Sequence, residues 1–432
     1  VDRAITLLAT EDAEGALRIA TGLVKVDLAS VTPLFVMGKA LAALGQKALA
    51  IDALELASDR ASDSGHLPMA IAALAGLTAL GANLEDRADV IARRYSREST
   101  GLRKGGARPP LVAPPNAEAL PPALSGAALI EQITQTLEYA RAALESDRLA
   151  KKGPDSLPHQ ALFSALGALS LRALMGAFAV RVVKEGEKVI RQGAAGGEAF
   201  VLARGELEVM RESEEADSIL LARLGSGSVF GEMALLTRAP RAASVVAARP
   251  SIVLEISVGD LETAASGAPE IGTVFSSYAH RRMVANLVRT SELLGPLSAS
   301  ERQALIERFA AKTYDVGEKL VLQGKDTPGL YVIASGKVDV VRKDGDDKLV
   351  ITALGVGEVA GEVSLLFRRP SNADVVASMP TMTLFLPRSR FMEIVRHHPT
   401  LLAQLYELAA RRDDETMNIA AQEASDAEDL II

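Results

Sequence analysis

Between Ala4 and Ser99 apolar residues recur at three- and four-residue spacing with few Gly or Pro interruptions. That period predicts amphipathic helices. Within this stretch Met37-Gly38-Lys39-Ala40-Leu41 is followed by Gly45, Ala50, Leu54 and Ala57. Small residues at such offsets let two helices approach closely. Ala16 and Ala20 precede Ala50 and Leu54 by 34 residues, whereas Gly45 and Gly81 are 36 apart, so the spacing suggests a helical-hairpin repeat whose period slips. The pattern then breaks: prolines at 109, 110, 114, 115, 121 and 122 predict an extended linker over residues 100–126 that separates two folded parts. Helical spacing resumes over residues 127–157.

From residue 158 the period shortens to that of strands. Val183, Val189, Phe200, Leu202, Leu207 and Val209 are interleaved with polar or small residues, and so are Val321, Tyr331, Ile333, Val338 and Val340. The two series are copies. Phe178, Gly186 and Gly205 recur as Phe309, Gly317 and Gly336 after 131 residues, while Gly225, Gly231, Glu232 and Pro240 recur as Gly355, Gly361, Glu362 and Pro370 after 130. One residue is therefore lost between the equivalents of Gly205 and Gly225. Short strands punctuated by glycine predict a jelly-roll type of β-roll in each copy. Helical lead-ins are expected at residues 162–178 and 298–309, with flanking helices near 261–294 and 389–412. The predicted fold class is multidomain α+β: N-terminal α-helical hairpins (residues 1–99), then two β-roll domains with flanking helices (158–294 and 295–412) and an acidic tail (413–432).

Composition narrows the function classes. Apolar residues make up 48% and charged residues 24%, the mix of a globular protein, with a formal net charge of -8 and no long Lys/Arg block. A nucleic-acid partner is disfavoured. Cysteine is absent, which removes disulfides, thiolate nucleophiles and cysteine-bound metals, and is compatible with a cytoplasmic setting. The stretch from Ala161 to Val180 is interrupted by Arg172 and is a poor membrane span. No signal peptide is expected, although the chain starts with Val rather than Met. His66, His159, His280, His397 and His398 lack metal-ligand spacing, and no nucleophile stands with a base, so neither a metal nor a catalytic site is expected.

The chemistry gathers in one run, Phe230-Gly231-Glu232-Met233-Ala234-Leu235-Leu236-Thr237-Arg238-Ala239-Pro240-Arg241-Ala242-Ala243-Ser244. A short helix opening at Gly231-Glu232 turns backbone N–H groups towards an anion, and Arg241 can bond it bidentately. This run resembles the phosphate-binding cassette of the cyclic-nucleotide-binding domain family, which includes the regulatory subunits of cAMP-dependent protein kinase and the catabolite activator protein. The resemblance implies ligand contacts from Phe230, Gly231, Glu232, Met233, Ala234, Arg241, Ala242 and Ala243. It also implies that Glu232 accepts from the ribose 2′-hydroxyl while Arg241 holds the cyclic phosphate. A surface ion pair beside a turn is the bland alternative. In cGMP-preferring relatives a hydroxyl residue often follows the arginine; Ala242 cannot make that bond, which favours cAMP over cGMP.

The second copy keeps Gly361 and Glu362, but Ser371 stands in place of Arg241 and is followed by Asn372. Losing a charged hydrogen bond weakens binding by about ten- to a hundredfold, and Asp374 adds a negative charge nearby. This site is expected to be degenerate: structural, weak, or specific for another ligand. Arg368 and Arg369 lie on the far side of Pro370.

The spacing over residues 1–99 is also similar to degenerate tetratricopeptide units, with an unrelated helical bundle as the alternative. Either presents surface to a protein partner. Arg93-Arg94-Tyr95-Ser96 has the shape of a basic-directed kinase site but falls at the end of a predicted helix, where a solvated face is expected. Gly225-Ser226-Gly227 reads as a β-turn, not a dinucleotide loop. The expected function is a cyclic-nucleotide sensor, not an enzyme, that passes ligand binding in the first roll through the helices after it to a protein partner. A kinase-inhibitor-like regulatory subunit and a nucleotide-independent scaffold are the rivals.

Overall fold

The computed structural model describes residues 1–103, 118–121, 123–150, 154, 156–212, 218–237, 240–290, 308–344, 347–397, 402–415 and 418. The chain divides into two compact units, Val1–Leu235 with Ala243–Tyr278, and Leu236–Ala242 with Ala279–Ile432.

Unit one opens with helices α1 (Asp2–Ala9), α2 (Ala13–Val26), α3 (Val31–Ala43), α4 (Lys47–Asp63), α5 (Leu67–Ala79) and α6 (Glu85–Tyr95). Local chemistry sets their ends. The Asp12 carboxylate accepts from the Gly15 amide at 2.9 Å to cap α2, and Pro68 sits in the first turn of α5, where no intrahelical N–H partner is lost. Successive helices from α1 to α5 pack as neighbours, so the predicted hairpins are present. Gly38 is where α3 meets α4: a Cβ there would lie 2.6 Å from Leu54 Cγ, which makes glycine the residue that fits.

The next segment is tied back onto this array. The strand β1 (Leu102–Arg103) pairs in parallel with β2 (Leu157–Pro158), the Leu120 amide donates to the Arg18 carbonyl at 3.2 Å, and Arg18 donates to the Pro121 carbonyl at 2.8 Å. Most of the predicted linker, residues 104–117, lies outside the described residues. Helix α7 (Gly126–Leu149) packs on α2 and α4, with Arg60 paired to Asp147 at 2.6 Å. The predicted lead-in helix is split into a 3-10 turn (Phe163–Ala165) and α8 (Ala168–Gly176).

The first roll has two four-stranded antiparallel sheets. One has the order β3 (Ala179–Val183), β10 (Ser251–Ser257), β5 (Glu198–Arg204), β8 (Val229–Phe230); the other has β4 (Lys188–Ile190), β9 (Ser244–Ala247), β6 (Glu206–Arg211), β7 (Ile219–Gly225). Helix α9 (Glu232–Thr237) follows β8, and α10 (Val258–Gly267) and α11 (Glu270–Thr290) follow β10. Strand β5 is buried on both faces. Phe200 and Leu202 point into the roll, while Ala199, Val201 and Ala203 join a core that contains Leu17, Phe35, Leu54 and Tyr95 of the helical array. Strand β10 repeats this, with Val253 inside and Ile252, Leu254 and Ile256 facing the helices. A strand period of two thus sends alternate side chains into two cores. The helical array and the first roll form one compact unit with a shared core.

In unit two the second roll repeats the plan: β11 (Ala310–Tyr314), β18 (Thr381–Pro387), β13 (Gly329–Ser335), β16 (Val359–Ala360) in one sheet, and β12 (Lys319–Val321), β17 (Asp374–Ala377), β14 (Val338–Asp344), β15 (Asp347–Leu354) in the other. Helix α12 (Glu362–Phe367) follows β16; α13 (Arg388–His397) and α14 (402–415) close the unit. The expected lead-in at 298–309 falls outside the described residues except for Arg308 and Phe309, and so does the tail beyond 418.

Candidate functional site

Each cassette is built the same way. A two-residue strand pairs with the long inner strand, Phe230 with Phe200 in the first roll and Ala360 with Tyr331 in the second. The strand ends at a glycine of positive φ, +75° at Gly231 and +90° at Gly361, and a six-residue helix begins at the next residue, a glutamate. At Gly361 two reasons exclude a side chain: the left-handed backbone, and a Cβ position 2.7 Å from Thr327 Cγ2 and 2.8 Å from the Gly329 carbonyl.

In the first cassette Phe230 stacks on Phe200 at 5.2 Å between ring centroids and belongs to the core of the roll. Glu232 and Ala234 are buried, Gly231, Met233 and Ala243 are half-buried, and Ala242 is exposed. Arg241 is buried, with 7% of its surface exposed. Phe230 to Ala234 and Ala243 belong to unit one, whereas Arg241 and Ala242 group with unit two. Arg238 and Ala239 lie outside the described residues.

All four predicted residues of the second cassette, Gly361, Glu362, Ser371 and Asn372, line one open cleft together with Val321, Thr352 and Arg412. Glu362 is 2% exposed and takes a hydrogen bond from Arg412 Nη1 at 2.8 Å. The same guanidinium donates to the Val359 carbonyl and to Glu358, the latter at 3.2 Å. Ser371, in the arginine position, donates its hydroxyl to the Ala373 carbonyl at 2.8 Å. Asn372 donates to Asp413 at 3.1 Å, and Arg369 pairs with Asp413 as well. Arg368 is exposed.

Beside each cassette sits a polar motif that sequence reasoning did not find. Gln192 and Glu212 exchange two bonds, Glu212 N–H to Gln192 Oε1 at 2.8 Å and Gln192 Nε2 to the Glu212 carbonyl at 3.0 Å. Gln323 and Lys343 repeat this at 2.8 and 2.9 Å. The Gln192 amide donates to Ser244 Oγ at 2.9 Å, and the Gln323 amide to Asp374 at 2.9 Å. Ser244 then donates to Glu212 at 2.7 Å, and Glu212 takes Lys188 Nζ at 2.7 Å. In the second roll Asp374 takes Lys319 at 2.7 Å and Lys343 at 3.1 Å. Burial pushes the Asp374 carboxyl up, but Lys319, the Gln323 amide and Lys343 outweigh burial and hold it below the usual carboxylate range. The negative charge expected near the second cassette is present as the Asp374 carboxylate, and two ammonium groups, Lys319 and Lys343, pair with it. The recurrence of Gln192 as Gln323 and Lys188 as Lys319 after 131 residues was the available signal.

Two decoys resolve. Tyr95 and Ser96 are fully buried, with the Tyr95 hydroxyl on the Ser62 carbonyl at 2.8 Å, and Arg94 pairs with Asp63. The motif is thus a packed helix end and not a wholly solvated face. Among the described residues no helix is long and apolar enough to cross a membrane, and no cluster of three or more His, Asp or Glu could hold a metal ion.

Residues 180–266 and 311–398 match the family model described as cyclic nucleotide-binding domain. The chain is 27% identical over 240 residues to a cAMP-dependent protein kinase regulatory subunit of Yarrowia lipolytica, covering 56% of this chain and 60% of that protein. It is 29% identical over 224 residues to the cAMP-dependent protein kinase type II regulatory subunit of Drosophila melanogaster, covering 52% and 56%. With the regulatory subunit of Debaryomyces hansenii it shares 30% over 234 residues, covering 54% and 49%. The chain therefore spans about half the length of these relatives. A solved regulatory domain of Toxoplasma gondii PKA with cAMP aligns at 21% identity and a TM-score of 0.28, covering 57% of this chain and 89% of that one. With both rolls matched, the chain carries two tandem members of the cyclic nucleotide-binding domain family.

Proposed function

We propose that this chain is a cAMP-responsive regulatory protein without catalytic activity of its own, acting in the cytoplasm, and that its first domain is the nucleotide sensor. The observation that carries this reading is the difference between two cassettes of one plan: Arg241 follows Gly231 and Glu232 in the first, while Ser371 follows Gly361 and Glu362 in the second. In this reading Arg241 pairs with the cyclic phosphate, Glu232 accepts from a ribose hydroxyl, and Phe230, Gly231, Met233, Ala234, Ala242 and Ala243 shape the surroundings. Ala242 offers no hydroxyl to a guanine amino group, which favours cAMP. The ligand acts by binding two arrangements of α10 and α11 unequally, and the tetratricopeptide-like helices deliver the result to a protein partner. Isothermal titration of cAMP and cGMP tests this. One cAMP site lost in Arg241→Ala supports it; no heat and no thermal shift with either nucleotide would favour a scaffold.

A second reading makes the partner a protein kinase catalytic subunit, because the relatives matched over half of this chain are named regulatory subunits of such a kinase. It predicts a kinase that co-purifies and is released by cAMP. Arg93-Arg94-Tyr95-Ser96 does not supply the inhibitor segment in the folded state, since Ser96 is fully buried.

A further inference from the structure

Helix α14 (402–415) lies over the cleft of the second roll. Leu405 and Ala409 are fully buried, and Arg412 and Asp413, one turn further on, meet the cassette on the same helix face. Tyr406 packs edge-on against Phe367 of α12, with ring centroids 5.9 Å apart. The polar contacts are specific. Arg412 holds Glu362, Glu358 and the Val359 carbonyl, while Asp413 holds Asn372 and Arg369. Glu362 is the member of this set most in need of a partner, because a carboxylate with 3% side-chain exposure is strongly unfavourable unless paired.

We propose that Arg412 and Asp413 form an internal latch that holds α14 closed over the second cassette without any ligand, Arg412 supplying to Glu362 the hydrogen bond that a ligand hydroxyl would otherwise bring. The second domain then rests in its closed arrangement. Only a ligand whose hydroxyl competes with the guanidinium for Glu362 releases the helix. This rests on the reading that the second cassette does not hold a cyclic phosphate.

Hydrogen exchange on the full chain tests it, comparing wild type, Arg412→Ala, Glu362→Gln and the double variant, with β13 (Gly329–Ser335) as the internal measure of an intact roll. Each single substitution is expected to speed exchange across 402–415 at least tenfold with β13 still protected. The double variant is expected to exchange no more than about twice as fast as the faster single one. Unchanged exchange in Arg412→Ala, or fully additive effects, overturns the latch. Should either substitution also expose β13, Asp413→Asn replaces it: a threefold or greater acceleration supports the latch and no change overturns it. Counting cAMP sites by titration on the same samples separates the two ideas. Two sites with a latch that behaves as stated sink the degenerate-cassette reading alone.

Discussion

Lys343 Nζ lies 3.1 Å from Asp374 Oδ2 in the second roll, at the place where Glu212 accepts the Ser244 hydroxyl at 2.7 Å in the first. Both positions of this pair differ in charge between the copies, and Lys188 or Lys319 completes the trio in each case. The pairing joins the strand before the lost residue to the strand after the cassette.

The trio predicts a charge-swap rescue. Asp374→Ser in the second roll removes the partner of two lysines and is expected to destabilise unit two by about 1.5–3 kcal/mol, the range of charged hydrogen bonds. Adding Lys343→Glu recreates the first roll's arrangement and should recover at least half of that loss. Urea midpoints of the single and double variants check the coupling; additive losses would refute it.

Acid should reveal the same carboxylate. Because Asp374 is held below its ordinary range when folded, its stabilisation is complete above the unfolded pKa of about 3.9 and is lost as pH falls through the folded value. Unit two of wild type should therefore lose stability below about pH 4 more steeply than Asp374→Asn. Equal slopes in acid urea titrations would contradict the assignment.

Asp2 joins the helical array to the first roll. It pairs with Arg204, whose side chain is 10% exposed, and with Arg249 at 2.7 Å. Burial raises the Asp2 carboxyl, but Arg249 and Arg204 together lower it further than burial raises it, so this link too is lost as pH falls through the folded value. Asp2→Ala leaves Arg204 with the Pro250 carbonyl at 3.2 Å and should cost about 1–3 kcal/mol, since Arg204 is buried while Asp2 and Arg249 are partly in water. Thermal unfolding followed by proteolysis of α1 measures it.

Binding should separate the two cassettes. Arg241→Ala is expected to weaken cAMP about ten- to a hundredfold, while Ser371→Ala leaves the measured affinity within about twofold. A matching loss in both variants would show that the second cassette also binds.

Base choice should respond to one side chain. Ala242→Thr adds a hydroxyl at the position after the arginine and is expected to raise cGMP affinity about tenfold with little change for cAMP, the worth of one neutral hydrogen bond. Competition titration gives the ratio directly.

The sequence by itself determined the helical array, the duplication, the lost residue and the glycines that begin each cassette, because these follow from local period and from backbone conformations that few residues adopt. Gly361 is legible alone: its φ of +90° and its missing Cβ are properties of one position. The tertiary structure decided what depends on residues far apart in the chain. It set alternate residues of β5 and β10 into two cores, so that helices α1 to α6 share one with the first roll. It neutralised Asp374 with Lys319 and Lys343, and it brought Arg412 to Glu362 across 50 residues. No local pattern marks such pairs, since a charge reads the same in sequence whether it faces water or a buried partner.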